Sequence, residues 1–394
     1  MSFIRLLKIF LIWRLGTLAV VGFSPRFFDL QTLFLGGGVD SYLKNPFVWS
    51  LANFDGVHYL SIAKDGYKPL TYFFFPIYPL LIRVVSDVAG IDDIWAGIII
   101  SHFALLAALV GLVKLMELDF GANEIFWTVV FLLSFPTSFF LGSVYTESVF
   151  LAFSVWSFYF FRKKNFLRSS LLGMIATATR VSGLALVPAF LWNIWEERKV
   201  NNKKARLARI APTLAIPFGL AFYMIYLKFI SGDALAFLHN LSIFGEQRSG
   251  SFVLFPQVFY RYFFKIVPSL NFDYFPVVFS TFLELLIGLL VLIFGVFGVL
   301  IKCGYFLNSL SISRVFIKTP FSYIVYMWGI FIISTLPGSL SSFPRYSLGI
   351  FTIFVIVGSW LSNLKPLWRL VIILSMVVNL IIALALFSRG FWIS

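Results

Sequence analysis

Apolar residues in this chain come in long runs rather than at strand or amphipathic spacing. Such runs recur at 6–24, 94–114, 125–141, 143–161, 210–230, 276–301, 320–340, 346–362 and 368–387. A helix of roughly 20 apolar residues crosses about 30 Å of hydrocarbon, so each run is predicted as a membrane helix. Segment 167–195 is also apolar. It lies between two basic clusters, Arg162, Lys163, Lys164 and Arg168 before it, and Arg198, Lys199, Lys203, Lys204, Arg206 and Arg209 after it. Basic loops are held on the cytoplasmic side, together with Arg5 and Lys8, so this segment must enter the membrane and return. At about 1.5 Å per residue it gives only about 43 Å of helix, too little for two crossings. A short hairpin is therefore predicted, broken near Arg180-Val181-Ser182-Gly183. The fold class is all-α and polytopic, with about nine to eleven membrane helices.

The same threading places 25–93 outside. The apolar stretch Tyr72 to Val85 in that loop is interrupted by Pro76, Pro79 and Arg83. It reads as an interfacial or partly inserted helix. The alternative, a full span at 72–90, would invert the neighbouring loops and put a basic cluster outside. A second outer segment, 231–275, mixes aromatics with Arg248, Arg261 and Lys265; it is either an amphipathic cover over a lipid-facing groove or a plain connection. Two modules are expected, 1–230 and 231–394.

Composition agrees with the membrane reading. Hydrophobic residues make up 60% of the 394, charged residues 12%, and mean hydropathy is +0.93, against about a quarter charged in a soluble domain. A net charge of +14 would point to nucleic acid in a soluble protein; here it follows from basic cytoplasmic loops, and no nucleic-acid partner is expected. Met1 to Phe23 resembles a signal peptide but lacks a clear small-residue cleavage site and is read as a retained span. The single cysteine, Cys303, excludes an intrachain disulfide and a cysteine-based metal site.

The densest polar cluster is Asn53-Phe54-Asp55-Gly56-Val57-His58-Tyr59-Leu60-Ser61-Ile62-Ala63-Lys64-Asp65-Gly66-Tyr67, followed by Phe74-Phe75-Pro76-Ile77-Tyr78-Pro79. Asp55, His58 and Ile62 share one face of a predicted helix. Asp55 near its start either caps the helix or serves as a general base beside the bilayer. Arg180 stands in an apolar segment, where an arginine is costly and a functional candidate by default. Its planar donors match phosphate oxygens; the plainer role is pairing with Glu147. Arg345 is a second phosphate candidate or a headgroup anchor. Glu147 binds sugar hydroxyls, orients a cation or pairs with Arg180. His58 positions Asp55, contacts phosphate or is structural. Lys64 and Tyr67 are interfacial or touch phosphate or sugar.

The pattern Phe54-Asp55-Gly56-x-His58-Tyr59-Leu60-x-Ile62-Ala63-x-x-Gly66-Tyr67 … Phe74-Phe75-Pro76-x-Tyr78-Pro79 resembles the PIG-V mannosyltransferases, which include the second mannosyltransferase of GPI-anchor assembly. Further matches follow in order: Phe135-Pro136-Thr137-Ser138, Tyr145-Thr146-Glu147-Ser148, Ala178-Thr179-Arg180-Val181-Ser182-Gly183 and Ser342-Phe343-Pro344-Arg345-Tyr346. The resemblance implies a GT-C glycosyltransferase: a helical membrane bundle whose first outer loop carries the catalytic acid, here Asp55. It implies a polyprenyl-phosphate sugar, by default mannose, as donor, with a glycolipid or glycan acceptor. Arg180, Arg345 and His58 are then expected at the donor phosphate, and Glu147, Lys64, Tyr67 and Tyr346 around sugar or acceptor. A lipid-monophosphate donor requires no metal or other cofactor, and a divalent cation is not excluded. The site is expected on the periplasmic, extracellular or lumenal face, in a prokaryotic plasma membrane or, in a eukaryote, the ER membrane. A lipid or glycolipid transporter would share the broken helices and intramembrane charge, but related halves are not found in the sequence. A scaffold would not need Asp55, His58 and Arg180 in this setting.

Overall fold

The computed structural model describes residues 1–196, 203–240, 253–304 and 311–393, without the side chains of 203–206 and 311. Arg198, Lys199 and Arg248, and the side chains of Lys203, Lys204 and Arg206, therefore lie outside the described residues. Every regular element described is helical. Among the described residues five helices are long and apolar enough to cross a bilayer: α1 (Phe3–Phe23), α2 (Asp93–Met116), α3 (Leu207–Ser231, interrupted at Ile216 and Pro217), α4 (Phe275–Lys302) and α5 (Pro366–Ser388). Two bent helix pairs, each a broken span or a re-entrant loop, bring the candidate crossings among the described residues to as many as seven. Residues 312–318 meet α6 (Phe321–Thr335) at 100°, and Phe343–Gly349 meets α7 (Phe351–Leu361) at 81°.

The other predicted crossings are shorter. The runs at 125–141 and 143–161 form α8 (Ala122–Ser134) and α9 (Glu147–Arg162), of 13 and 16 residues. Neither run is one full-length helix. Pro136 ends the first, and residues 135–146 pass through a 3₁₀ turn at Ser138–Gly142, buried throughout. A hydropathy window cannot see this, because the turn is as apolar as its flanks. Non-helical backbone at such depth is tolerated only where protein surrounds it.

The predicted hairpin is present. α10 (Phe166–Thr179) ends at Arg180, a 3₁₀ turn covers Val181–Ala185, and α11 (Leu186–Glu196) returns. In the loop 25–93, Asp55–Asp65 forms α12, closed by Gly66 at φ 82°, and Ile77–Ala89 forms α13. At 13 residues α13 measures about 20 Å, short of a full crossing. It buries Tyr78, Pro79 and Ile82 and exposes Leu80, Val84 and Val88 beside Arg83 and Asp87, the division expected of an interfacial helix.

The helix ends sort into two sets. At one end, the Met1 amine pairs with Glu117 at 3.2 Å, Arg162 with Asp119 at 2.8 Å and Lys318 with Glu124 at 2.8 Å. At the other end, Ser388 Oγ donates to Ser24 Oγ at 3.0 Å and Asn53 Nδ2 donates to the Phe387 carbonyl at 2.9 Å. The loop carrying Asp55 is thus tied to the end of α5, across from the basic end. Outward faces of α1 and α5 remain apolar: Ile4, Ile12, Leu15, Leu367, Trp368 and Leu374 are all at least half exposed, as lipid-facing residues would be.

Backbones pack closely where small residues allow it. A Cβ at Gly358 would stand 2.3 Å from Thr128 Cα, and one at Gly219 would stand 1.9 Å from the Met174 carbonyl oxygen. Gly358 therefore sets the approach of α7 to α8. Gly358→Ala is expected to destabilise the protein by about 1–3 kcal/mol through overpacking. Thermal unfolding in detergent measures this, and an unchanged midpoint would show that the two helices separate at no cost.

Candidate active site

Among the described residues, four charged side chains meet at the end of the bundle away from the Glu117, Asp119 and Glu124 pairs. Arg345 Nη1 donates to Asp55 Oδ2 at 2.6 Å. Its Nε lies 3.3 Å from Glu147 Oε1, an ion pair without hydrogen-bond alignment. Arg180 Nη1 donates to the same Glu147 oxygen at 2.8 Å. The order Asp55, Arg345, Glu147, Arg180 alternates in sign and sums to zero. The inner pair is the most buried, with side-chain exposures of 4% for Arg345 and 1% for Glu147, against 16% for Asp55 and 13% for Arg180. Isolated charges at such burial would cost several kcal/mol each, so their mutual pairing is a condition of folding.

Each charge is delivered by a break in helix. Asp55 opens α12 directly after Phe54, whose φ of 55° is unusual for a bulky residue. Phe54 is held there by its N–H to the Phe34 carbonyl at 2.9 Å and by its ring against Trp392. Arg345 lies in the short helix Phe343–Tyr346, after Ser342 at φ 68°. Two non-glycine residues with positive φ thus precede two of the four charges, and such strain persists only where the surroundings impose it. Glu147 begins α9, and Arg180 ends α10 at the tip of the hairpin.

Neutral residues fix the register. Asn53 is fully buried; its Oδ1 accepts the Gly36 N–H at 2.9 Å and its carbonyl accepts the Tyr145 hydroxyl at 2.8 Å. Tyr42 donates to the Ser388 carbonyl. Thr137 Oγ1 donates to the Pro344 carbonyl at 2.8 Å, joining the Phe-Pro-Thr-Ser turn to the segment bearing Arg345. The guanidinium carbons stand over aromatic rings, Arg180 at 4.4 Å from the Tyr346 centroid and Arg345 at 5.1 Å from that of Tyr145. Sequence reasoning passed over Asn53 and Tyr145. Both stand within motifs it had singled out, but a neutral side chain carries no sign of which distant backbone it will meet.

The cluster forms one wall of a cavity of about 560 Å³. Phe73, Phe75, Leu220, Met224, Leu235 and Phe237 contribute an apolar side, and Tyr59, Thr146, Ser339, Ser341 and Tyr346 add polar atoms. Asp55 and Arg180 line the same cavity.

Of the other predicted residues, His58 stacks on Phe74, centroids 4.9 Å apart. Burial lowers its pKa, against the raising effect of Asp55. Tyr67 donates to the Phe74 carbonyl at 2.7 Å within a group of tyrosines, so its hydroxyl braces the loop. Lys64 is on the exposed last turn of α12, about 13 Å along the helix from Asp55. Arg345 is too buried to be a headgroup anchor, and Asp55 makes no side-chain cap at its own helix. His239, to which the sequence reading assigned nothing, lines the cavity with its Nδ1 2.6 Å from Asp233.

The fold is that of the GT-C membrane glycosyltransferases. ArnT from Cupriavidus metallidurans, in its structure bound to undecaprenyl phosphate, aligns at a TM-score of 0.50 and 14% identity, over 84% of this chain and 67% of that one. The apo oligosaccharyltransferase of Archaeoglobus fulgidus aligns at 0.48 and 12% identity, over 98% of this chain and 55% of that one. No curated protein sequence matches the chain. The model of the mannosyltransferase (PIG-V) family matches residues 2–238, more than half the chain. This chain belongs to that family, and it is a multi-pass membrane glycosyltransferase.

Arg345 pairs with two carboxylates and is almost fully buried. Arg345→Gln is therefore expected to destabilise the fold by about 3–5 kcal/mol, by leaving buried charge uncompensated. Arg180→Gln should cost less, since Glu147 keeps Arg345. Thermal midpoints of the two variants compare them directly; equal shifts would mean that pairing at the inner positions is not what holds the cluster.

Proposed function

We propose that the protein transfers a mannosyl or similar residue from a polyprenyl-phosphate sugar to a glycolipid or glycan acceptor, with inversion at the anomeric carbon and Asp55 as general base. The observation that carries this reading is the alternating cluster of Asp55, Arg345, Glu147 and Arg180 in the wall of a cavity whose other side is apolar. The acceptor oxygen attacks the anomeric carbon as its proton passes to Asp55. The bond from that carbon to the phosphate oxygen breaks, and the electron pair leaves with the polyprenyl phosphate. Negative charge then grows on phosphate oxygens in a site with little water, where a fixed guanidinium is most effective.

Arg180 is the first partner for that phosphate and Arg345 the second. Both are engaged by carboxylates, Arg180 by Glu147 and Arg345 by Asp55 and Glu147, so an arriving phosphate takes over part of this pairing and frees the Asp55 carboxylate. Glu147 Oε2 is buried with no hydrogen-bond partner among the described residues, and it suits a sugar hydroxyl. The Tyr346 ring lies within cation–π distance of both arginines, its centroid 4.4 Å from Arg180 Cζ and 5.2 Å from Arg345 Cζ. A retaining route would use a second carboxylate as nucleophile; Glu147 is committed through Oε1 to both arginines. From a β-linked mannosyl donor the product is α-linked.

The apolar wall formed by Phe73, Phe75, Leu220 and Met224 suits an isoprenoid chain. The fold shared with ArnT, a protein seen with undecaprenyl phosphate, favours the same class of carrier here. The positive-inside rule favours a cytoplasmic position for the basic end of the bundle, and this supports a cavity on the periplasmic, extracellular or lumenal side. No metal ion is needed for this chemistry.

Membranes expressing the wild type or Asp55→Asn would be given labelled mannose on polyprenyl phosphate. Asp55→Asn should lower transfer about 10²- to 10⁴-fold at equal expression. Equal transfer by both proteins, above an empty-membrane control, would remove Asp55 from the reaction; no transfer by either would reject mannose on this carrier as the donor.

A further inference from the structure

Outside the site, one carboxylate among the described residues is buried within a candidate membrane helix. Glu284 stands near the middle of the first half of α4, among Leu283, Leu285 and Ile287, with an exposure of 6%. A carboxylate in such a segment is costly and marks a functional position by default. Here Glu284 Oε2 accepts the Tyr262 hydroxyl at 2.6 Å, and Ser280 Oγ lies 3.4 Å from Oε1.

Tyr262 in turn holds the cavity wall. Its oxygen accepts the Leu340 N–H at 3.2 Å and lies 3.4 Å from Ser339 Oγ. The stretch before it runs along the same wall: Val253 N–H donates to the Leu336 carbonyl at 3.0 Å, and Arg261 Nη1 to the Gly338 carbonyl at 2.9 Å. Gly338, at φ 89°, turns the wall at a point where a Cβ would meet Val253 Cγ2 at 3.0 Å and Arg261 Nη1 at 3.1 Å. Leu336, Pro337, Ser339 and Ser341 face the cavity, and the chain passes through Ser342 straight to Arg345. Among the described residues that line the cavity are neither Tyr262 nor Glu284, and the contacts above connect them to it through this wall.

We propose that Tyr262 and Glu284 form a positioning pair, whose buried hydrogen bond fixes the wall 336–341 and thereby the place of Arg345 against Asp55. A tyrosine hydroxyl that donates to a fixed carboxylate cannot rotate, and its remaining lone pairs then present one geometry to the Leu340 N–H. Glu284 is thus the anchor, Tyr262 the link and Leu340 the point held. Both residues lie beyond the stretch matched by the family model, which ends at 238. The catalytic consequence rests on the reaction proposed above, whereas the structural one does not.

Two readouts on the full-length protein in detergent separate these. Hydrogen exchange at residues 338–346 reads the wall directly. Tyr262→Phe and Glu284→Leu should speed exchange there while leaving other segments and the thermal midpoint close to wild type. Glu284→Gln, whose amide oxygen still accepts the tyrosine hydroxyl, should restore protection. In the mannose-transfer assay, Tyr262→Phe and Glu284→Leu should lower kcat about 10- to 100-fold, the range expected for a misplaced catalytic group, and Glu284→Gln should stay within about 3-fold of wild type.

Unchanged exchange in Tyr262→Phe overturns the proposal, as does loss of activity in Glu284→Gln equal to that in Glu284→Leu. Faster exchange with wild-type kcat overturns it too, because the wall would then move without consequence. If the wild type transfers no sugar, the proposed reaction fails, and exchange at 338–346 alone decides whether the pair positions the wall.

Discussion

The guanidinium of Arg345, caught between the carboxylates of Asp55 and Glu147, is the constraint on which the rest of this structure depends. Buried in an apolar bundle, none of the three charges is stable alone. Meeting that condition requires a loop near residue 55, the start of a helix at 147 and a short helix at 345 to arrive at one point. Arg180 completes the neutral set from the tip of the hairpin. The broken elements of the bundle are explained by this convergence. A continuous helix would carry Glu147, Arg180 or Arg345 past the site with its side chain fixed by helical phase; a break at 135–146, 180–185 or 342–350 lets each charge stop there.

Such breaks are stable because protein surrounds them. Asn53, Tyr145 and Thr137 satisfy backbone groups that lipid would leave unpaired. They also link segments far apart in the chain, which holds the site's backbone in place. The division 1–230 and 231–394 runs through this network: Asp55, Glu147 and Arg180 come from the first part and Arg345 from the second, which also supplies the wall from 333 to 341. We regard the two parts as sharing one site, with the second shaping the cavity entered by a substrate.

The separation of the two ends adds a functional direction. Basic residues paired with Glu117, Asp119 and Glu124 collect at one end and the cavity opens near the other. The pairs at the first end are only partly buried, while the charge-balanced set at the cavity has the deepest burial at Arg345 and Glu147. In the reaction proposed above, a lipid-linked anion entering the cavity would disturb that balance, and the arginines are the groups able to respond to it.

Much of this was legible in the chain itself. Runs of apolar residues specify membrane helices because hydrocarbon thickness fixes a length that composition alone can report. The sidedness of basic loops forced segment 167–195 to double back, with its break at Arg180. Local motifs marked Asp55, Glu147, Arg180 and Arg345, since charges are rare enough in such a chain for each to be conspicuous. What the sequence could not show was which charge meets which. Asp55 and Arg345 are 290 residues apart, and Glu284 stands alone in an apolar run until Tyr262 is folded against it. Hydropathy is a property of single residues and their neighbours, so it is written along the chain; pairing depends on distances of a few ångströms between segments, and only tertiary packing decides those.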